Sequence, residues 1–333
     1  MIKIAIDAMG GDNGSSIVVS AVNNFLKDHN DVIFYVVGKK EELTKLDSAV
    51  SIIDSREVMG MEDGALEILR RRETSMLKAI NLVADKTCDG VVSCGSTGAF
   101  LSAATIKFKL IPNVLRAALI SPFPTLDGKG VTMLDIGASN ENRPEHLVQF
   151  AHMGEIYSKC AMGVKDPKVY LLSNGAEEKK GSPVGKEAHH LLKDEKNLNF
   201  MGNIEARYVL TGEADVVVCE GYPGNVMLKT IEGTANLFKA KIKDAFKTNL
   251  FTKIGYLFAK KGFDKLSTDL DYKKYGGAML VGINGVAVKG HGNSDEYSFY
   301  HAIKVAYNMI KNDMVNKIKE AFEDEQESEG TAQ

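Results

Sequence analysis

Five segments of this 333-residue chain combine glycine with hydroxyl, amide, carboxylate or basic side chains in spacings that suit chemistry on an anion or a carbonyl. The first, Asp7-Ala8-Met9-Gly10-Gly11-Asp12, directly follows an apolar run. Consecutive glycines let backbone N–H groups converge on an anion without Cβ obstruction, and the same residues also make a plain tight turn. The spacing is not G-x-G-x-x-G, and no acidic residue ends a second strand about 20 residues on, which argues against a dinucleotide site. In the second, Ser93-Cys94-Gly95-Ser96-Thr97-Gly98-Ala99, Ser96 and Thr97 stand at an expected helix start, as a phosphate cradle or as ordinary N-caps. Cys94 has no histidine base beside it and reads as a small buried thiol rather than an acyl-carrying nucleophile. The third, Leu172 to Pro183, is either a solvated charge run or a loop aiming Lys180 at a phosphate or a developing oxyanion. Asn203 and Asn225, in glycine-flanked stretches, either tolerate left-handed backbone or donate to a carbonyl oxygen. The fifth, Tyr275 to Ser294, reads as a hairpin ending in a turn where His291 stands between two glycines, facing a ligand or simply solvent.

The elements that must position these residues are short β-branched runs, each ending in a polar or glycine-rich turn: Ile4 to Asp7, Phe34 to Gly38, Val91 to Gly95, Met133 to Gly137, Tyr170 to Ser173 and Val216 to Gly221. Helical patterns lie between them, such as Met76 to Asp85 and, after Pro144 placed like an N1 residue, Glu145 to Cys160. This alternation predicts an α/β fold of three layers, a mostly parallel sheet with helices on both faces and a ligand crevice beyond the strands' carboxyl ends. One continuous domain is expected over residues 1–322, with a helical excursion at 231–271. The apolar-poor stretch 323–333 reads as an acidic flexible tail.

Composition narrows the function classes. The chain carries 41 basic and 44 acidic residues and is 44% hydrophobic, which fits a globular protein and gives no sign of nucleic-acid binding. Apolar runs such as Ile33 to Val37 fall far short of the roughly 20 residues that span a bilayer. The opening Ile2-Lys3-Ile4-Ala5-Ile6 is strand-like with no basic leader, and a cytoplasmic protein is expected. Four cysteines without a C-x-x-C pair suggest neither a disulfide framework nor zinc, and no metal or other cofactor is expected. Between Leu250 and Lys261, Leu250, Phe251, Ile254, Leu257 and Phe258 fall within about 120° of a helix circumference, with Lys253 and Lys260 on one flank. Such a stripe serves packing, or rests in a membrane interface.

Taken together, these segments closely resemble the PlsX family, the bacterial phosphate acyltransferases that make acyl phosphate from acyl-acyl carrier protein. The resemblance runs from Ile4 to about Ser294. It is carried by Ile4 to Asp12, Gly95 to Ala99, Leu134 to Ala138 with Pro144 to Phe150, Gly202 to Glu205, Gly212 to Cys219, Gly224 to Lys229 and Tyr275 to Ala278. It implies a three-layer fold similar to isocitrate and isopropylmalate dehydrogenases, a homodimer, and peripheral attachment to the inner face of the cell membrane. The implied partners are acyl-acyl carrier protein, inorganic phosphate and a membrane glycerol-phosphate acyltransferase that consumes the product. Matched by motif, Lys180 and Asn225 are the expected catalytic residues. Asp7, Gly10, Gly11, Asp12, Ser96, Thr97, Asn203 and His291 are expected to bind phosphate or the pantetheine end. The chain departs from the family pattern at Ser96, Ser139, Ala176, Ala206, Tyr208 and Met279. Those departures keep two alternatives in view, a relative using another acyl donor and a catalytically silent membrane scaffold; a third, a dehydrogenase on the same fold, is disfavoured by the missing nucleotide fingerprint and the lack of a clear metal-carboxylate cluster.

Overall fold

The computed structural model describes residues 1–269 and 277–330. The first half of the chain comprises β1 (Ile2–Asp7), α1 (Ser15–Asp28), β2 (Val32–Gly38), β3 (Ser51–Asp54), α2 (Ser75–Ala84), β4 (Gly90–Ser93), α3 (Thr97–Phe108), β5 (Ala118–Phe123), β6 (Val131–Leu134) and α4 (Pro144–Tyr157). There follow β7 (Val169–Ser173), α5 (Pro183–Asp194), β8 (Phe200–Glu205), β9 (Val216–Val218), α6 (Gly221–Lys247), α7 (Leu250–Asp269), β10 (Ala278–Val281), β11 (Val286–Lys289), α8 (Glu296–Lys311) and α9 (Met314–Gly330). The strands coincide with the β-branched runs, whose alternate residues pack on opposite faces of the sheet. Ile4 and Ile6 enter one apolar core and Ala5 the other. The first core lies beneath α1, α4, α8 and α9, the second beneath α2, α3 and the first turns of α6. That is the expected three-layer α/β arrangement.

All eleven strands form one sheet in the order β3-β2-β1-β4-β11-β10-β5-β6-β9-β7-β8. Parallel pairing holds on both flanks, but β11–β10, β10–β5 and β5–β6 are antiparallel. Three reversals in succession make β6, β9, β7 and β8 run opposite to β1, β2, β4 and β11. The glycine turns therefore do not gather beyond one edge, as the sequence reading expects; the two sets of carboxyl ends point in opposite directions. An element crossing the sheet must connect them.

Two boundaries also differ. The helical excursion read as 231–271 is the outer part of a hairpin whose first helix, α6, begins at Gly221, because Pro223 lies in a first turn, where its missing N–H has no intrahelical partner to lose. The end of that excursion, and Tyr275-Gly276 of the hairpin motif, lie outside the described residues. The expected flexible tail is helical as far as Gly330: buried Phe322 anchors α9, and the Glu- and Gln-rich sequence after it favours helix. No helix among the described residues is long and apolar enough to cross a membrane.

Candidate active site

At the β1/β4/β11 edge, three turns meet almost without side chains between them. A Cβ on Gly10 would lie 2.8 Å from Gly95 Cα, so the loops after β1 and β4 touch through bare backbone. Asp12 N donates to Gly292 O at 2.8 Å, tying in the loop after β11. Asp7 is buried beneath these turns. Its Oδ1 accepts from Ser75 Oγ (2.7 Å) and Met9 N (3.2 Å), and its Oδ2 accepts from Ser93 Oγ (2.7 Å). Burial outweighs these hydrogen bonds and raises its pKa above the ordinary carboxylate value. Asp7 thus holds the loop after β1 in place and is not open to substrate. Ser96 occupies the N-cap position of α3, but its side chain makes no cap hydrogen bond; Thr97 and Gly98 of the first turn are exposed. Cys94 is buried and its thiol is pushed up to about 11, an unreactive group as the sequence suggests.

The opposite-running half is organised by Asp135, fully buried just beyond β6. Its Oδ1 accepts from the N–H groups of Leu119 (2.9 Å), Gly137 (3.0 Å) and Ala138 (2.8 Å); its Oδ2 accepts from Ser139 N (2.9 Å) and Ser139 Oγ (2.6 Å). Ser139, one of the departures, is thereby built into the network. The start of α6 seats on this turn: Asn142 Oδ1 accepts from Gly221 N at 3.0 Å, and a Cβ on Gly224 would overlap the Asp135 carbonyl. Asn225 rests against Gly137, whose φ of +131° suits glycine and whose Cβ, were there one, would lie 3.2 Å from Asn225 Cγ. Asn225 is therefore helical, not a left-handed turn residue, and its side chain is exposed.

Lys180 lies exposed in the loop between β7 and α5, and two ties position that loop. Ser182 Oγ donates to Glu220 Oε1 at 2.5 Å, joining the loop to the N-cap residue of α6. Asn203 Nδ2 donates to Glu177 O at 2.9 Å, while its Oδ1 meets His189 Nδ1 at 3.0 Å. Asn203 is buried in β8, and both ends of its amide are engaged. It is a positioning residue for the lysine loop, not one of the anion-binding groups among which the sequence reading places it. Tyr208 and Ala206 fall in the 3-10 turn after β8, with the Arg207 guanidinium 4.8 Å above the Tyr208 ring.

Helix α6 connects the two halves. Asn225, Lys229 and Glu232 stand at i, i+4 and i+7, on one face and about 10 Å apart end to end. Glu232 Oε2 pairs with Lys229 Nζ at 3.1 Å, and its Oε1 stands 3.6 Å from His291 Nδ1 in the turn after β11. A cavity of about 20 Å³, room for one water, lies between Ile231, Glu232, Gly277 and His291. The structure thus places Gly10, Gly11, Asp12, Ser96, Thr97 and His291 at one edge, Asn225 near the start of α6, Lys180 in a loop tied to that helix's N-cap residue, and a charged helix face running from Asn225 to Glu232. Sequence reasoning gave no role to Lys229, Glu232 or Asp135. The first two were detectable from their helical spacing with Asn225, and Asp135 from its place at the end of a β-branched run.

Comparison with known proteins identifies the family of the chain. The family model described as "Fatty acid synthesis protein" matches residues 2–317. The chain is 42% identical over 330 residues to a phosphate acyltransferase of Clostridium botulinum, covering 96% of this chain and 99% of that one. It is 41% identical to a phosphate acyltransferase of Staphylococcus haemolyticus, covering 92% and 94%. Among solved structures, a phosphotransacetylase from Streptococcus pyogenes superposes with a TM-score of 0.58 at 18% identity, over 92% of this chain and 94% of that one, which shows a shared fold. With near-complete coverage by the family model and by relatives above 40% identity, the chain belongs to the fatty acid synthesis protein family and is an enzyme of its phosphate acyltransferase group.

Proposed function

We propose that this protein transfers a fatty acyl group from acyl-acyl carrier protein to inorganic phosphate, giving acyl phosphate for phospholipid synthesis. The observation that carries this reading is the tie of the Lys180 loop to the N-cap of α6 through the Ser182–Glu220 hydrogen bond, with Asn225 of the same helix seated on the Gly137 turn. A phosphate oxygen attacks the thioester carbonyl, a C–O bond forms, and the C–S bond breaks with its electron pair leaving on sulfur as the carrier thiolate. The protein positions the reactants and stabilises the oxyanion: Asn225 donates to the carbonyl oxygen, and the Lys180 ammonium offsets charge between phosphate and oxyanion.

The product is a reactive mixed anhydride, and α7 supports delivery at a membrane surface on the cytoplasmic side. Leu250, Phe251, Ile254, Leu257 and Phe258 are all exposed, Phe258 by 87%. The opposite side of α7 closes the hairpin, with Phe246 at 5.3 Å from Tyr256 and 4.8 Å from Phe263 between ring centroids. An apolar stripe flanked by Lys253 and Lys260 therefore faces outward, suiting a lipid interface and handover to a membrane glycerol-phosphate acyltransferase. Exposed Leu237 and Phe238 on the hairpin stem suit contact with a second copy in a homodimer. The test is incubation of purified protein with palmitoyl-acyl carrier protein, with and without phosphate. Phosphate-dependent release of free carrier thiol, with acyl phosphate trapped by hydroxylamine, is expected; release independent of phosphate, or none, overturns the reading. Liposome co-sedimentation that survives Leu257→Glu with Phe258→Glu removes the membrane contact.

A further inference from the structure

Lys289 ends β11 in register with Ser93 of β4, and Ser93 in turn donates to Asp7 of β1. In parallel register these side chains share one face of the sheet, the face on which α3 packs. Lys289 is only 7% exposed. Its ammonium donates to Gly290 O, and no other hydrogen bond or ion pair reaches it among the described residues. The nearest carboxylate in the row, Asp7, is already occupied by Ser75, Ser93 and the Met9 amide. A buried cation without a counter-ion is costly, and natural structures pair such groups or neutralise them. Burial pulls the Lys289 pKa below the ordinary lysine value; Cys94, Asp7 and Asp12 nearby favour its charge, and Lys229 opposes it.

Among the described residues no carboxylate forms an ion pair with Lys289, although Asp7 and Asp12 act on it from nearby, and the surroundings offer further donors to an anion. The turn after β4 leads into α3, whose first-turn N–H groups donate no hydrogen bond to the Ser96 side chain, and whose Thr97 and Gly98 are exposed. A helix N-terminus attracts negative charge and offers N–H donors. Gly10, Gly95, Gly290 and Gly292 are closely packed, a Cβ on each meeting a neighbour at 3.0 Å or less, so this edge presents backbone rather than side chains. Lys229, one helical turn from Asn225, brings a second cation from α6.

We propose that Lys289 and the N-terminus of α3 seat the inorganic phosphate substrate, with Lys229 facing it from α6. The inference rests on the acyltransferase reading and divides the site: phosphate at the β1/β4/β11 edge, thioester carbonyl at Asn225 and Lys180. The experiment compares wild type, Lys289→Met, Lys289→Arg and Thr97→Glu, the last placing a carboxylate at the start of α3. Inorganic phosphate without acyl donor is expected to raise the melting temperature of wild type, a shift lost in Lys289→Met and Thr97→Glu and retained in part by Lys289→Arg. In turnover, the phosphate KM is expected to rise at least about tenfold in Lys289→Met, with the acyl-donor KM within about twofold. A phosphate KM and melting shift unchanged in Lys289→Met overturn the inference. If Lys289→Met fails to fold, Thr97→Glu decides alone by the same two readouts. Wild type that shows the phosphate shift but no turnover would sink the acyltransferase reading and leave the anion seat standing.

Discussion

The two halves of the sheet solve the same problem with different chemistry. Each places a buried aspartate at or just past the end of a strand to hold the loop that follows. Asp7 does so at β1 with two serine hydroxyls and one amide, and Asp135 does so after β6 with four amides and one hydroxyl. At Asp7 desolvation prevails and the pKa rises. Asp135 instead sits where the backbone itself turns around it, and its donors come from three consecutive residues, Gly137 to Ser139, and from Leu119 of the neighbouring strand. The lesson is one of rigidity: the Asp135 half fixes backbone, so that α6 and Asn225 have a firm base. The Asp7 half ties serines of two other elements beneath closely packed glycine turns.

The largest effect that sharpens this contrast is expected for Asp135→Ala. Removing it strands four buried or half-buried N–H groups, while the Ser139 hydroxyl keeps Asn142 as its partner, with an expected loss on the order of 3–5 kcal/mol in chemical denaturation. A loss comparable to that of Asp7→Ala would mean that the two aspartates are equivalent. Next comes Lys180→Ala, which is expected to cut turnover about 100-fold while leaving the melting temperature nearly unchanged, because the side chain is exposed. Near-normal turnover in that variant would remove Lys180 from the mechanism.

A smaller effect belongs to Asp7 and depends on pH. Its folded pKa lies above that of the unfolded chain, about 4. Between those two values the folded state binds more protons than the unfolded state, so stability falls as pH rises. The stability of wild type relative to Asp7→Asn is therefore expected to be greatest below pH of about 4 and to decline as pH climbs through the raised value. Parallel stability curves for the two proteins from acid to neutral pH would show that Asp7 titrates normally. The smallest effect is a rate. Iodoacetamide at neutral pH is expected to modify half-buried Cys160 well before Cys88 or Cys94, whose thiols burial holds at about 12 and about 11. Equal rates at the three sulfurs would place Cys94 in an open site.

Much of the scaffold was legible residue by residue. The runs around Ile4, Val91, Met133 and Val216 declared buried strands because β-branched side chains pack well on a pleated surface and their polar or glycine ends cannot continue it. Pro144 marked a helix start for a reason equally local, its fixed φ and missing N–H. Asn225 was recognisable as chemically apt, but its Gly-Tyr-Pro-Gly-Asn setting looked like a turn, since a first helical turn tolerates the same residues. Lys289 gave no signal: a lysine ending a Val-Ala-Val run reads as a strand giving way to solvent, and only the turns packed over it bury it.

The sequence by itself determined the element types, the three-layer class and the residue types available for work on an anion and a carbonyl, because each follows from short-range periodicity and side-chain chemistry. Only the tertiary structure decided that β5 and β10 pair antiparallel in the centre, reversing half the sheet and separating the glycine turns onto two sides. It alone decided that α6 then spans the gap with Asn225, Lys229 and Glu232 on one face, and that Lys289 is enclosed with no ion pair among the described residues. Those outcomes depend on pairings between segments more than a hundred residues apart, such as β5 with β10, and local sequence carries no record of which distant strand a given strand will meet.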